Sequence, residues 1–486
     1  MTPRSLALAI GIALWGVALR GLAGPPAGDK PNVLFLMADD LRPELGCYGA
    51  GHVISPNIDR LAKRGRMFKR AYCQQALCNP SRASMLTGLR PDSLGIWNLP
   101  THLRQRRPGI VTLPQHFRNN GYFTECVGKI FHNWRQDIHG DPQSWSVPQF
   151  MHYARHDDDK PKVDGKPPRN EIKLPRSTIL DVPDEAYFDG RIATRAVESL
   201  QRLKQNRKPF FLAVGFWKPH LPFNAPRRYW NLYDPAKVTL PESLARPENG
   251  PDIALHDSRE LLRAFGGREP STRDIRELRR GYFAATTYMD SQVGRVLDEL
   301  DRLGLRDSTI VVFTADHGFH LGEHSLWCKT SNYEWDAAVP LIIAPPHLAK
   351  RGTAAPSPVE LIDLYPTLAE LCGLAKPTHL EGASLVPALK NPVFEVKPFA
   401  ITQHPRPAYY TGKEPEVMGY SLRTRHHRYT EWRNWRTGGV VARELYNHNQ
   451  DPAENKNIAA VSARRVQLLS SKLAEVHPVR RHPAAD

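Results

Sequence analysis

The sequence predicts an α/β protein: a large domain with a mostly parallel central sheet flanked by helices, then a small antiparallel-sheet subdomain at the C-terminal end. Three observations predict this. Short apolar runs at residues 32–37, 123–127, 210–216, 309–314 and 341–344 have the length and composition of strands buried on both faces. Helical stretches lie between them. From about residue 393 the pattern changes to partly alternating strands and turns.

The elements follow in order. Residues 55–65 and 113–119 read as short helices, and 184–203 and 274–303 as longer ones. Residues 145–181 are rich in Pro, Lys and Asp, lack periodicity, and read as a long surface insertion near the site entrance. Pro345-Pro346 and the proline-containing stretch to Pro358 read as closing the strand-rich part. Residues 361–372 then form a helix stopped by Gly373. Beyond it, residues 400–403 and 419–432 read as strands, 446–457 as a turn-rich tail and 460–476 as a last helix. The domain plan is a signal peptide over 1–23, a large domain over 29–392 and a subdomain over 393–486.

Residues 1–23 read as a leader because a basic start is followed by an apolar run over 6–19 and by Gly21-Leu22-Ala23, small residues where a signal peptidase cuts. The run is short for a membrane span. No later stretch is apolar enough to cross a bilayer, so the mature chain is expected to be secreted or periplasmic. The only Asn-x-Ser is Asn79-Pro80-Ser81, which proline disqualifies as a glycosylation site, and this leans towards a bacterial protein. The net charge of +16 suits an anionic partner: nucleic acid, anionic membrane or acidic polysaccharide. Export argues against nucleic acid. The six cysteines, Cys47, Cys73, Cys78, Cys126, Cys328 and Cys372, include no CxxC spacing, which argues against a zinc cluster or redox pair, and six in so long a chain do not make a disulfide framework.

In open α/β sheets, ligands bind beyond the carboxyl ends of the strands. Four of the predicted strands end in charged or imidazole groups: Asp39-Asp40; Gly128-Lys129 with His132 after it; Lys218-Pro219-His220; and Asp316-His317-Gly318. In a parallel sheet these ends open on one edge, so the groups can converge. The strongest signal is Cys78-Asn79-Pro80-Ser81-Arg82, continued by Ala83-Ser84-Met85-Leu86-Thr87-Gly88. Its four fixed residues would arise by chance in under roughly one per cent of chains this long. Pro80 suits the first turn of a helix, which places Cys78 at a helix N-terminus, where free N–H groups favour an anion.

With this segment the chain resembles the formylglycine-dependent sulfatases, whose signature is Cys-x-Pro-Ser-Arg followed by Thr-Gly. Residues 31–40 resemble that family's first metal-binding strand. Gly128-Lys129-Ile130-Phe131-His132, Phe-Leu-Ala-Val-Gly-Phe-Trp-Lys-Pro-His-Leu-Pro-Phe over 211–223, and the Leu-Gly-Glu-His core of 316–329 resemble its iduronate-2-sulfatase-like branch. The resemblance implies an alkaline-phosphatase-like fold and a Cys78 oxidised to an aldehyde by a formylglycine-generating enzyme. It implies that Asp39, Asp40, Asp316 and His317 hold a cation together with position 78, and that Arg82 orients the aldehyde hydrate. Lys129, His132, Lys218, His220 and Lys329 would surround the sulfate and leaving oxygen.

A sulfate monoester repels nucleophiles, so its site must neutralise the anion, position a strong nucleophile and protonate a poor leaving group. His220, with Lys218, is the expected acid, and His132 the expected base that releases sulfate and restores the aldehyde. Three carboxylates suit one calcium ion, with magnesium as the alternative. His317 counts against a pure oxygen cage and is expected at the rim, touching the sulfate. The expected substrate is a sulfated carbohydrate, a 2-O-sulfated uronate at a chain end. Two other readings stay open: a phosphonate or phosphodiester hydrolase on the same scaffold, and a catalytically silent protein binding sulfated glycan through a basic face that includes Arg423, Arg425, His426, His427 and Arg428.

Overall fold

The computed structural model describes residues 30–133, 135–150, 160–166, 172–174, 176–206, 208–409 and 414–478. The leader expected over 1–23 lies outside them. The main sheet has eight strands: β1 (Asn32–Asp39), β2 (Arg66–Tyr72), β3 (Phe123–Gly128), β4 (Phe210–Pro219), β5 (Thr309–Ala315), β6 (Ala338–Val339), β7 (Leu341–Ala344) and β8 (Ala354–Glu360). Its order is β6-β2-β7-β5-β1-β4-β3, with β8 pairing β2. The four neighbours β3, β4, β1 and β5 run parallel, so their carboxyl ends do share one edge. All ten residues of β4 are buried, as a strand paired on both sides in a sheet covered on both faces must be.

The helices that matter for the site are α1 (Pro56–Arg64), α2 (Cys78–Thr87), α3 (Leu113–Asn119), α4 (Phe188–Gln205), α5 (Arg259–Leu262), α6 (Thr272–Arg302), α7 (Leu364–Leu371) and α8 (Ala463–Val476). Helix α6 packs on α1, α4 and β4, while α2 packs on α3 and α7. All ten residues of α2 are buried, so its start is held rigidly. The C-terminal sheet is antiparallel, in the order β9 (Phe399–Arg406), β10 (Val417–Thr424), β11 (His427–Asn434), β12 (Val440–Asn447). Leu469 and Leu473 of α8 cover it.

Four expectations need correction. The run 341–344 is a strand, but β7 lies antiparallel to β5 and β2, so the sheet is mixed. The proline-containing stretch does not close the sheet: residues 354–360 form β8, parallel to β2, with a register shift that accommodates the prolines. The stretch 419–432 is two strands, β10 and β11, in a tight hairpin. The insertion is surface only in part. Trp145 is buried, and Phe150 pairs with Val127, fastening residues 145–150 along the outer edge of β3.

The basic face expected around 423–428 is also mostly internal. Arg423 and Arg428 are buried and paired with Glu334, and Arg428 also with Glu454. Only Arg425 and His426 are exposed, with His427 intermediate. Buried arginines facing carboxylates join the small sheet to the large domain and are not offered to a glycan.

Candidate active site

Each strand end delivers its groups to one point. Asp40 follows β1 with φ +61°, a left-handed conformation that swings Asp39 and Asp40 to the same side. Between β3 and β4, Gly128 (φ +81°) and Gly215 let the backbones touch: a Cβ on Gly128 would fall 2.1 Å from the Gly215 carbonyl oxygen. This close approach brings Lys129 over the centre. Lys329 sits between Cys328 (φ +75°) and Thr330 (φ +92°), two positive-φ residues that turn its side chain inward.

Arg82, one helical turn after Cys78, ties the ends together. Its Nε donates to Asp316 Oδ2 (2.8 Å), Nη2 to Asp39 Oδ1 (2.9 Å), and Nη1 to the carbonyls of Lys129 (2.8 Å) and Ile130 (3.0 Å). One planar guanidinium thereby joins β1, β5 and the end of β3. Cys78 begins α2, with its Sγ 3.7 Å from Asp39 Oδ1 and 3.4 Å from His317 Nε2. Burial pushes its thiol well above the ordinary value, so the unmodified side chain is a neutral thiol and not a thiolate.

Lys129 Nζ contacts Asp39 and lies over the Trp217 ring, 4.2 Å from its centroid. Lys329 Nζ donates to Asp40 Oδ2 (2.9 Å) and to Glu260 Oε1 (3.0 Å) and lies 3.3 Å from His220 Nε2. Burial alone would raise Asp39, but Lys129 and Arg82 hold it well below the usual carboxylate range. Burial raises Asp40, helped by the neighbouring Asp39, Glu260 and Asp316 charges against the opposing Lys329. Crowded buried carboxylates of this kind fit a divalent cation, which relieves their repulsion. His317 is fully buried, with Nε2 at 3.3 Å from Asp40 Oδ1 and 3.6 Å from Asp316 Oδ2. Its Nε2 thus lies among the carboxylates, and the ring does not line the cavity rim, where it was expected. Donor atoms of Asp39, Asp40, Cys78 and His220 all lie within 4.8 Å of one another, and so do those of Cys78, Asp316 and His317.

Above this cluster opens a cavity of about 600 Å³. Of the residues singled out in the sequence, Cys78, Lys129, His132, His220 and Lys329 line it. Lys218 does not: its Nζ points to the carbonyl oxygens of Pro222 (2.8 Å) and His220 (3.4 Å). It braces the loop that carries His220. Sequence reasoning did not single out Glu260 or Tyr409, whose hydroxyl donates to Glu260 (3.0 Å), or the cavity arginines Arg176, Arg259 and Arg263. They sit in short helices and loops whose local sequence carries no pattern of its own.

A family profile described as Sulfatase matches residues 31–374, and one described as N-sulphoglucosamine sulphohydrolase, C-terminal, matches residues 322–478. The chain belongs to the sulfatase family. This sulfatase is 35% identical to iduronate 2-sulfatase of Mus musculus over 532 aligned positions, covering 94% of this chain and 96% of that one. Its fold matches a structure solved in complex with its substrate D-glucosamine-2-N,6-O-disulfate (TM-score 0.75, 24% identity, 93% of this chain and 98% of the other). It also matches the phosphonate monoester hydrolase of Silicibacter pomeroyi (TM-score 0.74, 25% identity, 94% and 96%). The alkaline-phosphatase-like expectation holds, and the protein is a sulfuric ester hydrolase. Among the described residues no helix is long and apolar enough to cross a membrane.

Proposed function

We propose that this sulfatase removes sulfate from a sulfated carbohydrate, a 2-O-sulfated uronate at a chain end, using a formylglycine made from Cys78. One observation carries the reading: position 78 starts a fully buried helix at the floor of the cavity, between Asp39 and His317, with Lys129 and Lys329 on either side. The similarity to iduronate 2-sulfatase supports the uronate. The cavity of about 600 Å³ has room for a sugar end, which supports action at a terminus.

A calcium ion held by Asp39, Asp40, Asp316 and His317 would neutralise sulfate charge and lower the pKa of the attacking hydroxyl. The aldehyde at position 78, once hydrated, supplies that hydroxyl. Lys129 and Lys329 meet the sulfate oxygens. His220 protonates the leaving alcohol, with Lys218 holding its loop, and His132 takes the proton whose loss releases sulfate. Arg82 holds Asp39 and Asp316 in register with position 78. Maturation would require a formylglycine-generating enzyme, and the leader expected over residues 1–23 would direct export.

The test is sulfate release from an unsaturated or iduronate-ended oligosaccharide with a single 2-O-sulfate, using protein whose position-78 peptide carries the aldehyde by mass. Release, abolished in Cys78→Ala with the fold intact, supports the reading. Release from an aryl sulfate only would discard the uronate. Hydrolysis of a phosphonate monoester in preference to any sulfate would favour the phosphoryl reading that the Silicibacter pomeroyi neighbour supports.

A further inference from the structure

The catalytic cavity holds more positive charge than one sulfate requires. Its cationic lining is Lys129, Lys329, Arg135, Arg176, Arg259 and Arg263, against the single carboxylate of Glu260. The two lysines are engaged by Asp39, Asp40 and Glu260. Arg259 pairs with Asp257 (2.7 Å) and lies 5.7 Å from the Tyr409 ring centroid.

Arg176 and Arg263 differ. Arg176 adopts φ +57°, a costly conformation for a residue with a side chain. Its carbonyl is fixed there by the Phe223 N–H (2.8 Å), in the loop that follows His220. Its Nε is buried with no acceptor. Its charge acts on nearby Glu260, but a buried guanidinium N–H without an acceptor is expensive, so the position favours a further anion. Arg263 is exposed and lies three residues after Glu260 on a continuous helical turn, and its side chain makes no hydrogen bond or ion pair with any described residue. Both side chains border the cavity that contains Cys78.

We propose that Arg176 and Arg263 form a second anion subsite, which binds a substrate carboxylate or sulfate other than the sulfate being cleaved. This rests on the sulfatase reading of the cavity and adds what selects the substrate. Guanidinium forks match planar or tetrahedral oxyanions, and paired charged hydrogen bonds discriminate strongly against a substrate that lacks them. The anion is either the carboxylate of the same sugar or a sulfate on the neighbouring sugar.

The experiment compares wild type, Arg176→Gln and Arg263→Gln on four substrates. These are 4-nitrophenyl sulfate, an unsaturated 2-O-sulfated uronate disaccharide with an unsulfated hexosamine, its carboxylate methyl ester, and the disaccharide with a sulfated hexosamine. Each variant is expected to raise KM roughly tenfold or more on at least one doubly anionic substrate, with kcat and the rate on 4-nitrophenyl sulfate unchanged. A KM effect that disappears with the methyl ester assigns the carboxylate. One that appears only with the sulfated hexosamine assigns that sulfate. Equal losses on 4-nitrophenyl sulfate, or unchanged KM throughout, overturn the subsite. If aldehyde-bearing wild type cleaves none of these, the substrate reading fails on its own. Calorimetric binding of the same disaccharides to wild type and Arg263→Gln then decides the subsite: about tenfold weaker binding supports it, and equal binding overturns it.

Discussion

A Cβ on Gly215 would lie 1.9 Å from the carbonyl oxygen of Lys129. Only glycine lets β4 pass this close to the end of β3, and the contact sets where Lys129 enters the site. Gly215→Ala is expected to destabilise the fold by about 3 kcal/mol, because backbone and not a flexible side chain must move. It should also lower sulfatase activity at least tenfold by displacing Lys129. Thermal unfolding and aryl sulfate hydrolysis check both. Wild-type values for the two would contradict the packing argument.

Arg82→Lys keeps the charge but removes the fork. A lysine cannot reach Asp39, Asp316 and two carbonyls at once. The expected cost is about 3 kcal/mol or more, since carboxylates stay buried with part of their partners gone. Activity should fall at least a hundredfold even where position 78 carries the aldehyde. Denaturant unfolding, with mass analysis of the position-78 peptide, separates loss of geometry from loss of maturation.

Removing divalent cations should lower the melting temperature and abolish activity, because Asp39, Asp40 and Asp316 are then left crowded at full burial. Calcium is expected to restore both at lower concentration than magnesium. An unchanged melting temperature after exhaustive chelation would argue against a cation among these carboxylates.

Glu334 joins the two sheets by accepting from Tyr72, Arg423 and Arg428. Glu334→Gln leaves two buried guanidinium groups short of a counter-charge. It should cost about 3 kcal/mol and increase protease cleavage around β10 and β11 first. Limited proteolysis read by mass spectrometry tests this. Uniform sensitivity along the chain would place the weakness elsewhere.

Burial lowers His256 to about 3 and His324 to about 4. Both folded values lie below the unfolded value of about 6.5, so below that pH the unfolded chain binds more protons. Their stabilising contribution is therefore present above about pH 6.5 and is lost as pH falls towards 4. At pH 5 each removes up to about 2 kcal/mol relative to pH 7. His324→Gln should flatten the dependence of unfolding free energy between pH 7 and 5. A slope equal to wild type would mean that other groups take up the protons.

Much of the chemistry is legible in the chain because it lies at the ends of strong local signals. The strands ending at Asp39 and Ala315 are mostly apolar runs, and Cys78 opens a helix written in consecutive residues. The short apolar run at 341–344 reads equally well in either direction, since pairing sense leaves no mark on a strand buried on both faces. β8 is hidden by its prolines, which read as strand breakers, and Arg423 and Arg428 read as surface charge until Glu334 and Glu454 are seen beside them.

The sequence by itself determined the α/β class, the order of the strands along the chain, the residue types at four strand ends and the helix start at Cys78, because each is set by periodicity and by neighbours a few residues apart. Only the tertiary structure decided that β3, β4, β1 and β5 stand side by side, that His317 turns inward, that Lys218 braces a loop, and that Glu260, Tyr409, Arg176 and Arg263 wall the cavity. Those facts depend on contacts between residues tens to hundreds of positions apart. Such contacts are fixed by packing and charge pairing, which no local window of sequence contains.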